Sequence, residues 1–143
     1  MKVSRNGQYA LISVVDLAIN ARETPASIAD IASRQNIDQR YLGQIFFKLK
    51  NADVLSSVRG KNGGYLLKKH PSEITAGDVV RAIEGDLAPT KCSIDDDAAL
   101  CCETYDACFT HGLWRDMAKK INNTLDGISI SGLADQYKRE CES

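Results

Sequence analysis

No apolar run in the chain approaches the ~20 residues that a membrane-spanning helix needs, so no membrane partner is expected. The opening residues, Met1 to Gly7, are polar and lead directly into a helical pattern, so no secretory leader is expected either. Five cysteines is an odd number, and without a leader a disulfide scaffold gives way to a reducing, cytoplasmic setting. Histidine is scarce, and one of the two, His70, precedes Pro71 in a loop. No nucleophile–base pair and no paired carboxylate stands out, so the pattern does not read as an enzyme's. Net charge is almost nil, −1, and taken alone it argues nothing about nucleic acid.

What is present is enough for one domain, or a small domain with an extension. The 143 residues are 43% apolar, sufficient for a real core, and 26% charged, ordinary for a soluble protein. The charge is unevenly placed. Residues 1–85 carry 12 Lys and Arg against 8 Asp and Glu, whereas residues 86–143 carry 6 against 11. A basic front half and an acidic back half point to a surface for polyanions on one side only.

Taken in order, Ser4 is placed to cap a first helix running to about Asn20. Tyr9, Ile12 and Val14-Val15-Leu17-Ala18 make it apolar on more than one face, as a central core helix would be. Glu23-Thr24-Pro25 reads as a loop. Ser27-x-x-Asp30 resembles a capping box opening a second helix, with Ile28, Ile31 and Ala32 as its buried stripe. Asp38 caps a third, in which Leu42, Ile45, Phe46 and Leu49 recur at helical spacing. Its other face carries Gln39, Arg40, Gln44, Lys48 and, unusually, Phe47. Two short helices joined by a tight turn read as a helix-turn-helix, the second offering Gln39, Arg40 and Gln44 to base edges and phosphates.

Val54-Leu55-Ser56-Ser57-Val58 then reads as a strand, and Tyr65-Leu66-Leu67 as its return. Between them lies Arg59-Gly60-Lys61-Asn62-Gly63-Gly64, a basic, glycine-rich tip. A hairpin directly after a helix-turn-helix makes a winged helix, with Arg59 and Lys61 along the minor groove or the backbone. The tip is not the GxxxxGK[ST] nucleotide loop. The full set of DNA-contact candidates is Lys2, Ser4, Arg5, Ser27, Gln39, Arg40, Gln44, Arg59, Gly60, Lys61 and Asn62. Thr75-x-x-Asp78 caps a fourth helix that Gly85 stops.

The stretch from Cys92 to His111 holds four of the five cysteines and closes on a histidine. Cys102-x5-Cys108-x2-His111, with Cys92 across a loop, collects the soft and borderline donors that bind zinc or iron–sulfur clusters. Asp95-Asp96-Asp97 reads as a solvated loop within it. Past His111, Leu113, Trp114, Met117, Ile121 and Leu125 form one helical stripe, for which a second copy of the chain is the simplest partner. Ile128, Ile130 and Leu133 suggest a shorter final segment, with Cys141 in a frayed tail.

Three stretches together resemble the IscR-type bacterial regulators: Met1-Lys2-Val3-Ser4-Arg5-x-Gly7-x-Tyr9-Ala10, Ser57-Val58-Arg59-Gly60-x-x-Gly63-Gly64-Tyr65-Leu66-Leu67, and Cys108-x-x-His111-x-x-Trp114-Arg115-Asp116. The resemblance spans roughly residues 1–135. It implies a DNA-binding repressor or activator that senses iron–sulfur cluster status and controls cluster-assembly genes. It also implies a homodimer crossed through the long helix and a 2Fe-2S cluster on Cys92, Cys102, Cys108 and His111. Two features depart from the family pattern. Nine residues separate Cys92 from Cys102, more than in the family, and Cys101 abuts Cys102, so either can be the ligand. The spacing to Cys108 favours Cys102. Also open are a 4Fe-4S or zinc occupant, a sister regulator whose cluster meets nitric oxide, and a thiol-based regulator of the same fold.

The expected architecture is mainly α with a small β hairpin. A winged helix-turn-helix domain occupies 1–85, a cluster-binding loop 86–111, and a dimerisation helix with its tail 112–143.

Overall fold

The computed structural model describes residues 2–93 and 109–142. Helix α1 (Arg5–Asn20) begins where Ser4 accepts the Gly7 N–H at 3.3 Å. It is the central element. Ala10, Val14, Leu17 and Ala18 are buried, and neighbours pack on it from several sides. Helix α2 (Ile28–Gln35) is capped by Ser27 and ends at Asn36, which turns into the left-handed region at φ 55°. Helix α3 (Gln39–Asn51) is capped by Asp38, whose carboxylate accepts the Tyr41 N–H at 3.1 Å. These caps are local side-chain-to-backbone bonds, so their positions follow from sequence. Leu42, Ile45, Phe46 and Leu49 are buried as their period requires, whereas Ile28 is only half-buried.

Strands β1 (Leu55–Val58) and β2 (Gly64–Leu67) form an antiparallel hairpin in the register Leu55↔Leu67 to Val58↔Gly64. The hairpin is held against α3 by the Tyr65 ring, edge-on to Phe46 at 5.0 Å between centroids. The expected loop before α2 has a further role. Ala26 and Tyr65 exchange backbone hydrogen bonds of 3.1 and 2.8 Å, adding a short third edge to the hairpin. A single 3-10 turn (Pro71–Glu73) leads to α4 (Ala76–Glu84), which opens on a complete Thr75/Asp78 capping box and ends at Gly85.

A 3-10 turn (Lys91–Ser93) carries Cys92, and α5 (His111–Asp126) follows the undescribed stretch. The final element differs from expectation. It is a 13-residue helix, α6 (Ile130–Glu142), running through Cys141, where a short segment and a frayed tail were expected. The reason is tertiary. Ile130 and Ala134 enter the core against α1, and the turn before α6 is stitched to the chain before α4 by Ile130 N–H to the Ile74 carbonyl and Ala76 N–H to the Ile128 carbonyl, both 2.8 Å. A helix of this length is stabilised mainly by such packing, which periodicity alone does not reveal. At its end Tyr137 is hydrogen-bonded to Cys141, which raises the Tyr137 pKa.

Among the described residues, one charged side chain, Asp16, is buried in the core. It is 1% exposed and accepts two bonds from Arg34, at 2.7 and 3.1 Å, and one from Gln35 at 2.8 Å. The Asp16 bond holds the Arg34 pKa above its ordinary value. Removing Arg34 strands the carboxylate. Urea unfolding of Arg34→Ala is therefore expected to show a loss of about 2 kcal/mol, short of the roughly 3–5 kcal/mol of a fully buried pair because Arg34 is 39% exposed. Adding Asp16→Asn to that variant is expected to recover part of the loss.

A second contact joins the chain's front to α4. Glu84 accepts hydrogen bonds from both the Ser4 N–H and the Ser4 hydroxyl. Glycine at position 7 makes this possible, since a Cβ there would lie 2.6 Å from Glu84 Oε1. Gly7→Ala gains about 1 kcal/mol of helix propensity but displaces a charged bond worth roughly 1.5–3 kcal/mol. The expected net result is a loss of about 1 kcal/mol in the native background. In a Glu84→Ala background the same change is expected to gain about 1 kcal/mol. Matching urea series on the four proteins check the change of sign.

Candidate nucleic-acid interface and metal-ligand segment

The outer face of α3 is built by the same period that buries its inner face. Gln39, Arg40, Gln44, Phe47 and Lys48 are all exposed there. Hydrogen-bond donors and a cationic fork on one helical stripe suit base edges and phosphates. The hairpin projects beside this helix, and Arg59, Gly60, Lys61 and Asn62 at its tip are exposed. Gly60 holds φ at +112°, and a Cβ on Gly63 would lie 2.1 Å from the Val58 carbonyl oxygen, so the tight tip requires glycine at both positions. Lys68 at the hairpin's base is tied to Asp53 at 2.6 Å, and that bond lowers the Asp53 pKa.

Lys2 and Arg5 are exposed at the start of α1. Ser4 and Ser27 are engaged as helix caps, and the Ser4 hydroxyl is further committed to Glu84. Sequence reasoning missed Glu84 as a neighbour of the DNA-contact candidates. The two residues are 80 positions apart, and only the absent side chain of Gly7 hints that something approaches α1 closely.

Of the proposed metal ligands, Cys92 and His111 fall within the described residues, both half-buried. Cys101, Cys102 and Cys108 lie outside them, as do Asp95 to Asp97. The Cys92 sulfur sits 3.0 Å from the Thr90 hydroxyl, and its 3-10 turn packs against α5, the helix that His111 begins. Among the described residues no three His, Cys, Asp or Glu side chains gather as a complete metal shell. Cys92 and His111 are brought onto neighbouring elements. A thiol on a turn against the helix that starts with an imidazole fits a site that the undescribed cysteines would complete.

Polar contacts fasten this region to α4. Asn122 of α5 donates to the Leu87 carbonyl at 2.9 Å, and Arg81 of α4 donates to Asn122 Oδ1 at 2.8 Å and to Asp126. The expected α5 stripe is only partly covered. Leu113 is 53% and Met117 39% exposed, while Ala118 is buried. No helix among the described residues is long and apolar enough to cross a membrane.

The whole arrangement has known counterparts. The HTH-type transcriptional regulator IscR of Aliivibrio salmonicida is 41% identical over 133 residues, covering 93% of this chain and 77% of that protein. IscR of Escherichia coli O1:K1 is 36% identical over 138 residues, covering 96% and 83%. Among solved structures, the global cysteine regulator CymR of B. subtilis superposes with a TM-score of 0.76 at 32% identity, covering 95% of this chain and 98% of that one. The IscR of T. potens gives 0.74 at 31% identity, with 96% and 88% covered. Residues 3–136 match the Rrf2 family of iron-dependent transcriptional regulators. With its helix-turn-helix, its basic wing and these relatives, the chain belongs to the Rrf2 family and is a DNA-binding transcription regulator, not an enzyme.

Proposed function

We propose that this regulator senses iron–sulfur cluster status in the cytoplasm through a 2Fe-2S cluster held by Cys92, Cys102, Cys108 and His111, and that it controls cluster-assembly genes. The observation that carries the proposal is the packing of the Cys92 turn against the helix that begins with His111. When bound, such a cluster supplies a redox-active group whose presence follows iron and sulfide supply. The protein's own residues do the rest. Cys92 and His111, as co-ligands, fasten the Lys91–Ser93 turn to the start of α5. Asn122 holds the Leu87 carbonyl, Arg81 links α5 to α4, and Glu84 links α4 to the Ser4 end of α1. Loosening one end of this series shifts the population of DNA-binding arrangements at the other.

A homodimer formed across α5 fits the same reading. Leu113 and Met117 supply an apolar stripe for a second copy. Two recognition helices then meet two half-sites whose spacing the dimer sets. On each half-site Gln39, Arg40 and Gln44 face the groove, and Arg59, Lys61 and Asn62 face the backbone or minor groove.

Arg59→Ala is expected to weaken binding to most duplexes alike and to reduce the salt slope of log K by about one if the guanidinium neutralises a phosphate. Fluorescence anisotropy over a salt series measures this, and unchanged affinity and slope would remove the wing from the interface. For the metal segment, protein purified without oxygen is expected to show visible charge-transfer bands with iron and acid-labile sulfide. Cys102→Ala and His111→Ala are expected to abolish or sharply weaken those bands, while Cys101→Ala and Cys141→Ala leave them in place. A colourless protein with stoichiometric zinc would support a structural metal instead.

A further inference from the structure

Phe47 has no evident role in the fold. Its side chain lies on the outer face of α3 and is 66% exposed, while Phe46 beside it is fully buried. Its neighbours on that face, Arg40, Gln44 and Lys48, are polar or cationic and exposed. A large ring left in water on such a face stabilises nothing until a partner covers it. The cations around it favour a polyanion over a second protein chain as that partner.

The position of the ring is as informative as its exposure. Arg40, Gly43, Gln44 and Phe47 stand at i, i+3, i+4 and i+7, one stripe of the helix. A single helix lying in a major groove reads bases with this same spacing. Gly43 leaves a gap in the middle of the stripe. Packing does not demand that gap, because a Cβ there would meet nothing nearer than Ile28 Cδ1 at 4.0 Å. The glycine also costs about 1 kcal/mol of helix propensity. Its effect is to let the helix backbone approach the floor of the groove and bring the ring within reach of the bases. In an unmodified major groove the one apolar group offered to a phenyl ring is the thymine 5-methyl.

We propose that Phe47 is a specificity-determining residue that reads thymine 5-methyl groups in the operator's major groove, with Gly43 clearing its approach. The inference rests on the DNA-binding assignment. It adds a base preference that the polar residues Gln39, Arg40 and Gln44 do not supply.

The test uses the full-length protein and a duplex that it enriches from a random-sequence pool. Each thymine is replaced singly by deoxyuracil, which keeps every hydrogen bond and removes only the methyl. At one or two positions per half-site the replacement is expected to weaken native binding about fourfold, the worth of one buried methyl group. With Phe47→Ala the penalty at those positions should vanish while all other positions respond as before. Phe47→Leu, still apolar, should keep part of it. Unfolding curves of the variants should match the native protein, since the ring is exposed. Deoxyuracil penalties that are absent from the native protein, or that persist unchanged in Phe47→Ala, overturn the proposal and leave DNA binding intact. A Phe47→Ala protein whose oligomeric state changes in sedimentation also overturns it, because the ring would then cover a protein interface. A pool with no enriched sequence removes the DNA-binding assignment along with it.

Discussion

The Asp16 carboxylate lies inside the core and has to be neutralised where it lies, because an unpaired charge at that depth costs several kcal/mol. Arg34 and Gln35 do this from the last turn of α2, with two bonds and one bond respectively. The pairing therefore does more than solvate a charge. It sets the rotation of α2 about α1, and α3 follows through a turn that Asn36 and Asp38 define. An apolar contact between the same helices would tolerate sliding, whereas a bidentate guanidinium–carboxylate pair fixes distance and orientation together. The outer face of α3 is presented at a definite angle as a result.

The opposite side of α1 is governed by close approach. Gly7 admits the Glu84 carboxylate to the Ser4 end of the helix, and Gly77 does the same for α5, since a Cβ there would lie 2.1 Å from Asp126 Oδ1. Helix α4 thus meets the Ser4 end of α1 through Glu84, its last residue, and the Asp126 end of α5 through Gly77 in its first turn. Its polar contacts are few and directional, and they occur where the two helices come closest.

The outer surface shows what the core leaves undecided. Inward positions of α3 are constrained to large apolar side chains, and any outward residue compatible with a helix leaves the fold unchanged. Gly43 and Phe47 are therefore not dictated by the core. The wing is constrained differently. Gly60 and Gly63 hold its tip, while Arg59, Lys61 and Asn62 are placed outward by the tight turn.

From the sequence alone came the capped helix starts and the buried face of α3, which depend on neighbours three or four residues apart. Ser4, Ser27, Asp38 and Thr75 announce their helices because a cap bonds an amide within the first turn. Leu42, Ile45, Phe46 and Leu49 announce their face by period. Tertiary structure decided whatever joins distant residues: the Ala26–Tyr65 pairing, the Glu84–Ser4 contact, and the return of α6 onto α1 through Ile130 and Ala134. Such contacts depend on which surfaces complement each other once the chain has collapsed, and one-dimensional spacing does not encode that complementarity. The proposed ligand segment divides along the same line: Cys92 and His111 are legible in the chain as donor types, whereas bringing the Cys92 turn against α5 required the whole fold.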